Sequence, residues 1–369
     1  MDAELSRLFE QLSRAFGPED VFGPLPGDTG EERLRALETT FHDLCLRCHP
    51  DRFASDPEVK ELSHQTFSML SAMRERARVR LERGAYGATA ADDGPGPDET
   101  SDITTRERTF RVSRVPFCEG DLCHLFRGRC LGGDSDTADV VVKLARDVAD
   151  NDLVRNEIRV LGRLWARPGV QLKHLPQLLD RFVAEGHQGL ILRALDALDL
   201  TVVLQRQPAG LDAQHCAWIL ARLLSVVGFA HSRGVVHGNI EPAHVLIRPS
   251  DHNAFLIDWS YAAVEPGKTG EGFRVLNEHF SAPEVALRQP PAPPSDLYSL
   301  GKVMVALLSG DATATVMPDH VPARFRRFVE FMIRPSPYQR PQDAWELFAE
   351  LRMVREELWG GPHYLALNL

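Results

Sequence analysis

Residues 237–247 read HGNIEPAHVLI, and DWS follows at 258–260. The stretch holds residue types that bear on proton transfer and cation binding. Asn239 is a neutral amide and cannot act as a base at neutral pH. Glu241 is a carboxylate, and His244 an imidazole, a poor ligand for hard Mg²⁺ but acceptable for softer divalent ions. Upstream, Lys143 stands in an apolar, strand-like run, ADVVVKLA, and Glu157 in a helix-like segment, NDLVRNEIRVLGRL. Singly, each of these is a surface charge. Only their order and spacing give them meaning.

Two other stretches carry chemistry on weaker grounds. GKTG at 267–270 has the ending of a phosphate-binding loop, but the upstream glycine that such a loop needs falls at Ala262, so the stretch reads as a flexible turn. Cys45-Leu-Arg-Cys48-His49 matches the C-x-x-C-H haem-attachment pattern. Haem loading requires export, and the start of the chain, MDAELSRLFEQ, carries acids where a secretory signal has a basic run and an apolar core. A zinc site on Cys45 and Cys48 lacks two further ligands at workable spacing. Neither haem nor zinc is expected, and the cysteines read as small apolar packing residues.

Composition narrows the rest. A chain of 369 residues can build two domains with real cores. Its net charge of −10 argues against non-specific nucleic-acid binding. The most apolar helix candidate, CAWILARLLSVVGFAH, is broken by Arg222, so no membrane span is expected. Six cysteines in a chain this long suit free thiols in a reducing compartment, and a cytoplasmic location is expected.

The elements that must position the reactive residues fall into two blocks. Residues 1–83 are rich in helix formers and show helical apolar spacing at Leu34, Leu37, Phe41 and Leu44. Residues 84–108 are rich in Gly, Pro, Asp and Thr without apolar periodicity and read as a flexible linker. Short strand-like runs follow, TFRVSRV, CHLFRGRCL, ADVVVKLA and GLILRAL, and from about residue 212 the pattern is mostly helical. Strands first and helices second predict an α+β unit with two lobes.

In the first block, an amphipathic helix over EERLRALETTFHDLCLRC, the tripeptide His49-Pro50-Asp51 and a second helix over VKELSHQTFSMLSAMRERARVRL resemble a J-domain, the DnaJ-type module. Pro50 stops the first helix and Asp51 sits just beyond it. The resemblance implies docking on a DnaK-type chaperone through His49, Pro50 and Asp51. It departs from the family on the preceding helix face, where Arg47 is the one firm cation between Glu38 and Cys48 and Asp43 adds an acid, which weakens electrostatic docking.

The second block resembles the protein kinases over about 109–355, with every landmark in order. Lys143 matches the strand lysine and Glu157 the helix glutamate of the phosphate-positioning ion pair. The catalytic-loop pattern H-R-D-x-K-P-x-N maps without gaps onto His237, Gly238, Asn239, Glu241, Pro242 and His244. FLIDWS matches the metal-binding D-F-G strand with Asp258, and SAPEV matches A-P-E with Glu284. Asp296 in DLYSLG and Arg340 in YQRPQDAWEL complete the set. The resemblance implies that Asp296 braces the catalytic loop and that Arg340 pairs with Glu284.

The departures lie where the family does its chemistry. Asn239 stands in place of the catalytic aspartate, whose proton transfer is worth about 10²–10⁴ in rate. Glu241 replaces a lysine, and a carboxylate about 4 Å from phosphate costs about 4 kcal/mol per unit charge at an effective dielectric of about 20. His244 replaces the asparagine that holds a second Mg²⁺, and Gly238 the arginine that grips a phosphorylated activation loop. Aligning C-E-G-D-L-C-H-L on the glycine-rich loop leaves Gly120 alone, with Cys118 and Cys123 in the other glycine places.

The expectation is a multidomain protein: an all-α J-domain-like helical module over 1–83, a linker over 84–108, a two-lobed α+β kinase-like domain over 109–355 and a tail over 356–369. Its expected role is that of a pseudokinase, a co-chaperone-like or signalling scaffold that joins a DnaK-type chaperone to a protein client. Weak binding of ATP or ADP with Mg²⁺ or Mn²⁺ would use Gly120, Lys143, Glu157 and Asp258, and no nucleotide at all stays equally open. The alternative is an active kinase-fold transferase in which Glu241 serves as base and His244 with Asp258 binds Mn²⁺ or another metal. A purely structural adaptor is a third reading.

Overall fold

A computed structural model describes residues 3–14, 18–27, 29–48, 100–131, 139–248, 253–270, 272–361 and 367, with scattered positions between 52 and 86. The chain forms two compact units, Met1–Gly96 and Pro97–Leu369.

In the first unit, helix α1 spans Ala3–Arg14, α2 Pro18–Phe22 and α3 Gly30–Cys48. Helix α3 starts at a capping box: the Glu32 N–H donates to Thr29 Oγ1 at 3.2 Å, and the Thr29 N–H donates back to Glu32 Oε2 at 3.1 Å. Leu37, Leu44 and Cys48 line its buried side. Beyond it, Ser63, Thr66, Leu70, Met73 and Ala77 are buried at steps of three and four, the spacing of one helical face. Ser63 Oγ donates to the Cys48 carbonyl at 2.8 Å, and Arg74 pairs with Glu38 at 2.8 Å, so this segment runs antiparallel to α3. Cys45 and Cys48 sit in the apolar cluster of this unit, where burial pushes the Cys48 thiol up to about 11. That is the packing role expected of them. His49, Pro50 and Asp51 lie outside the described residues.

The second unit opens with an antiparallel sheet in the order β1-β2-β4-β5-β7-β6, with β3 paired to β4. The strands are β1 Thr100–Thr104, β2 Thr109–Ser113, β3 Cys118–Glu119, β4 Cys123–Leu131, β5 Asp139–Ala145, β6 Leu178–Ala184 and β7 His187–Arg193. One face buries Phe110, Val112, Cys130, Val140, Val142 and Ile191. Helix α4, Asn151–Trp165, buries Val154, Glu157, Ile158, Leu161 and Leu164 along one stripe. The second lobe is built on α5 Leu200–Arg206, α6 Ala213–Ser232, α7 Pro266–Thr269, α8 Pro283–Ala286, α9 Pro293–Ser309, α10 Ala323–Met332 and α11 Ala344–Trp359. Close packing explains Gly228 on α6: a Cβ there would lie 2.8 Å from the Trp345 ring of α11. Short strands β8 Leu198–Asp199, β10 Val245–Ile247 and β11 Ala254–Leu256 form a small sheet, and β9 Val235–Val236 pairs with β12 Ala263–Val264. This two-lobed α+β architecture is the one expected.

Three local expectations change. The stretch read as linker to residue 108 contains β1, because Ile103 and its neighbours pair in register with β2, Thr100 opposite Ser113 and Thr104 opposite Thr109. The tail expected from 356 is helical as far as Trp359, and Leu367 is buried in the core. GKTG is no open turn but most of the one-turn helix α7, closed by Gly270 in the left-handed region. Helix α6 is long and apolar enough to cross a membrane by length and composition, despite Arg222. However, 72% of its most apolar window is buried inside the unit, as in the core helix of a globular lobe.

Candidate active site

Strand β5 places Lys143 between Leu125 of β4 and Leu190 of β7, and α4 presents Glu157 opposite it. Lys143 Nζ lies 2.6 Å from Glu157 Oε2 and 3.0 Å from Asp258 Oδ1. Burial alone pulls the ammonium down, but the two carboxylates overturn this and hold it above the ordinary lysine range. Burial likewise pushes Asp258 up, and Lys143, His244 and the Ser260 hydroxyl overcome it, holding the carboxyl below the ordinary range. Asp258 is therefore ionised. It adopts φ 59°, a left-handed backbone that a non-glycine residue keeps only where its surroundings fix it.

The catalytic-loop segment is braced from below. Asp296 accepts the His237 N–H and the Gly238 N–H, both at 2.8 Å, and contacts His231 Nε2 at 2.9 Å. Gly238 has φ 76°, a conformation that glycine takes without steric cost. His237 is buried, and desolvation lowers it to about 4, against the pull of Asp296. Its Nε2 donates to the Ile257 carbonyl at 3.0 Å, its Nδ1 accepts the Asn239 N–H at 3.3 Å, and its ring meets Trp259 edge-on at 4.5 Å. Farther down, Arg340 grips Glu284 through two 2.7 Å bonds, Nη1 to Oε1 and Nη2 to Oε2. Asp296 thus holds the loop backbone at His237 and Gly238, and Arg340 pairs with Glu284.

The altered positions converge on the same aspartate. His244 Nδ1 is 2.8 Å from the Asn239 carbonyl, so it carries the proton and Nε2 faces Asp258 Oδ2 at 3.3 Å. Glu241 Oε1 lies 3.4 Å from His244 Nδ1, and its Oε2 accepts from Asn277 Nδ2. Glu241, His244 and Asp258 thus form one chain of side chains, joined through Asp258 to Lys143 and Glu157. Asn239 is buried beside them. Gly120 lies elsewhere, in the turn between β3 and β4, where its N–H is used on the Cys123 carbonyl at 3.0 Å. Burial pushes the Cys123 thiol up to about 11, despite the nearby Lys143.

The donor set suits a divalent cation bound together with phosphate. Asp258 offers an ionised carboxylate, and His244 offers an imidazole whose other nitrogen is fixed on a backbone carbonyl, the usual arrangement for a ligating histidine. Two ligands at metal bonds of about 2.1 Å stand about 3 Å apart, close to the Nε2–Oδ2 separation. Among the described residues no group of three or more His, Cys, Asp or Glu side chains could hold a metal by itself, so phosphate and water oxygens would complete the shell.

Sequence reasoning passed over three residues here. Ser260 Oγ contacts both Asp258 Oδ1 at 2.7 Å and Glu157 Oε2 at 3.0 Å. Asn156 Nδ2 donates to the Ser260 and Ala262 carbonyls at 2.9 and 2.8 Å. Asn277 holds Glu241. For Ser260 the signal was present: a side chain stands where the D-F-G pattern has glycine. Asn156 and Asn277 carry no motif that marks them.

The protein kinase domain family model matches residues 134–348, more than half of the chain. The match starts after the β3–β4 turn, where the glycines are lost. Similar proteins include the serine/threonine-protein kinase PknK of Mycobacterium tuberculosis, 28% identical over 251 residues that cover 62% of this chain and 22% of that protein. PknH of Mycobacterium bovis is 23% identical over 60% of this chain and 39% of its own length, and PkaB of Streptomyces coelicolor 26% over 59% and 53%. The chain therefore spans about a fifth to a half of the length of these relatives. Among solved structures, the Mycobacterium tuberculosis PknI kinase domain superposes with a TM-score of 0.52 at 18% identity, over 68% of this chain and 97% of that one, a likeness of fold. The chain belongs to the protein kinase domain family.

Proposed function

We propose that the kinase domain binds ATP with a divalent cation and transfers its γ-phosphoryl group slowly to protein hydroxyls, as the serine/threonine-protein kinases similar to it are named for doing. The observation that carries this reading is the assembled cluster of Lys143, Glu157 and Asp258, continued to Glu241 through His244. Lys143 is placed to take the nucleotide phosphates, while Asp258 and His244 are the residues to hold the cation. A cation there neutralises phosphate charge and offsets the repulsion from Glu241. Glu241, about a fifth exposed, is the carboxylate open to an incoming hydroxyl and serves as proton acceptor in place of Asn239.

Label transfer from γ-labelled ATP in Mg²⁺ and in Mn²⁺ tests the reading. Slow transfer is expected, faster in Mn²⁺, abolished in Asp258→Ala and reduced about 10²-fold in Glu241→Gln. The amide at Asn239 favours a second reading, a pseudokinase that binds nucleotide and acts as a scaffold. No transfer in either metal, with a melting temperature still raised by ATP, decides for it. A melting temperature unmoved by ATP or ADP in both metals defeats both readings.

For the first unit we propose a co-chaperone role in the cytoplasm: docking of a DnaK-type chaperone that serves a protein client held on the kinase domain. The antiparallel packing of the later helical segment on α3 supports this reading. The family match does not reach this unit. The full chain is expected to stimulate the ATPase of such a chaperone and His49→Gln to lose the effect; equal rates with both proteins exclude the role.

A further inference from the structure

Lys143 Nζ and Ser260 Oγ bridge the same two carboxylate oxygens. Both lie within 3.0 Å of Glu157 Oε2 and of Asp258 Oδ1; the ammonium donates to both oxygens, while the single hydroxyl proton serves one of them at a time or is shared between them. Ser260 is fully buried, and among the described residues Glu157 Oε1 is buried without a partner, so within them Glu157 is held through Oε2. One residue before Glu157 on the same helix, Asn156 uses both of its amide protons on the carbonyls of Ser260 and Ala262, while its Oδ1 accepts from Arg159 at 2.7 Å. Consecutive residues of α4 thus grip the segment that follows Asp258, one through a hydroxyl and one through the backbone. The left-handed backbone at Asp258 is a conformation that needs such restraint. At the place where a phosphorylated activation segment would find an arginine, the chain has Gly238.

We propose that Ser260 and Asn156 are positioning residues that latch helix α4 to the strand end bearing Asp258, so that Lys143, Glu157 and Asp258 stay assembled without activation-segment phosphorylation. The functional part rests on the nucleotide-binding reading above. When Lys143 turns to nucleotide phosphates, the Ser260 hydroxyl keeps its one proton between the Glu157 and Asp258 oxygens, shared or exchanged between them. Asn156 meanwhile keeps the segment from swinging away from α4.

Hydrogen exchange on the nucleotide-free full chain tests the latch by itself. Ser260→Ala and Asn156→Ala are each expected to raise exchange about tenfold over 256–263 and 152–160, while helix α9 stays unchanged. Unchanged exchange in both segments overturns the latch, and so does a rise spread over the whole unit, which marks general destabilisation. A second arm compares ligands. Ser260→Ala is expected to weaken ATP with Mn²⁺ about tenfold and adenosine less than about twofold, because the latch serves the phosphate and cation end. Equal weakening of both overturns the positioning role. If the unsubstituted chain binds neither ligand, the nucleotide reading fails, while the exchange result still decides the latch.

Discussion

The two sides of the cleft differ in how their residues are held. On the holding side, Lys143, Glu157 and Asp258 are knit by bonds of 2.6–3.0 Å, and the Lys143 and Glu157 side chains are 11% and 0% exposed. On the transfer side, Glu241 and His244 meet at 3.4 Å and His244 meets Asp258 at 3.3 Å, long for charge-assisted bonds. Every holding residue keeps its family type, and every transfer residue has changed. The difference sets a tightly bonded cluster between the two lobes apart from a more loosely joined one beside it.

The largest test of this contrast removes the ammonium. Lys143→Met leaves the buried Glu157 carboxylate facing the part-buried Asp258 and is expected to cost about 3–5 kcal/mol in urea unfolding, as breaking a buried ion pair does. A change under about 1 kcal/mol would erase the distinction between the sides, because exposed pairs lose no more than that.

Acid acts next. His237 is neutral in the fold because burial lowers it to about 4 from 6.5, so the unfolded chain binds the extra proton between those values. Stability therefore falls as pH drops from about 6.5 to about 4, by at most about 3 kcal/mol for this group. Asp258, Asp296 and Glu284 are depressed, so their contributions persist until pH falls below the ordinary carboxylate range of about 4. Urea midpoints at about pH 7 and about pH 4.5 measure the histidine's share, and His237→Gln is expected to flatten the difference. An equal slope in both proteins assigns the loss to other groups.

The third test rebuilds the transfer side. Asn239→Asp returns a carboxylate next to Glu241 and is expected to raise label transfer about 10²-fold, at some cost in stability because the position is buried. No gain would place the deficit in Glu241 or in the β3–β4 hairpin, where Cys118 and Cys123 stand for glycines.

Much of this was legible in the sequence. The order of Lys143, Glu157, His237, Asp258, Glu284, Asp296 and Arg340 identified a kinase-like fold, because such landmarks answer to one another across the cleft and chance rarely supplies all of them in sequence. Strand β1 was not legible: TSDIT has no apolar alternation, and its pairing with β2 comes from backbone bonds and the Asp102–Arg111 contact at 3.1 Å. The helical stretch of GKTG was hidden for a similar reason, since its turn is closed by backbone bonds to Glu265 and Pro266 and not by an apolar pattern. Ser260 was visible as a letter, but its role was not.

The order of residues alone carried the type of fold, the residues that hold the two lobes of the kinase domain together and the places where the family's chemistry is altered. It could do so because those features depend on residue identity at fixed intervals. Only the tertiary structure decided that Glu241, His244 and Asp258 form one chain, and that Ser260 and Lys143 share the same two carboxylate oxygens. Those contacts join residues up to 115 positions apart. Their existence depends on how β5, α4 and the Asp258 segment pack against one another, which no local spacing records.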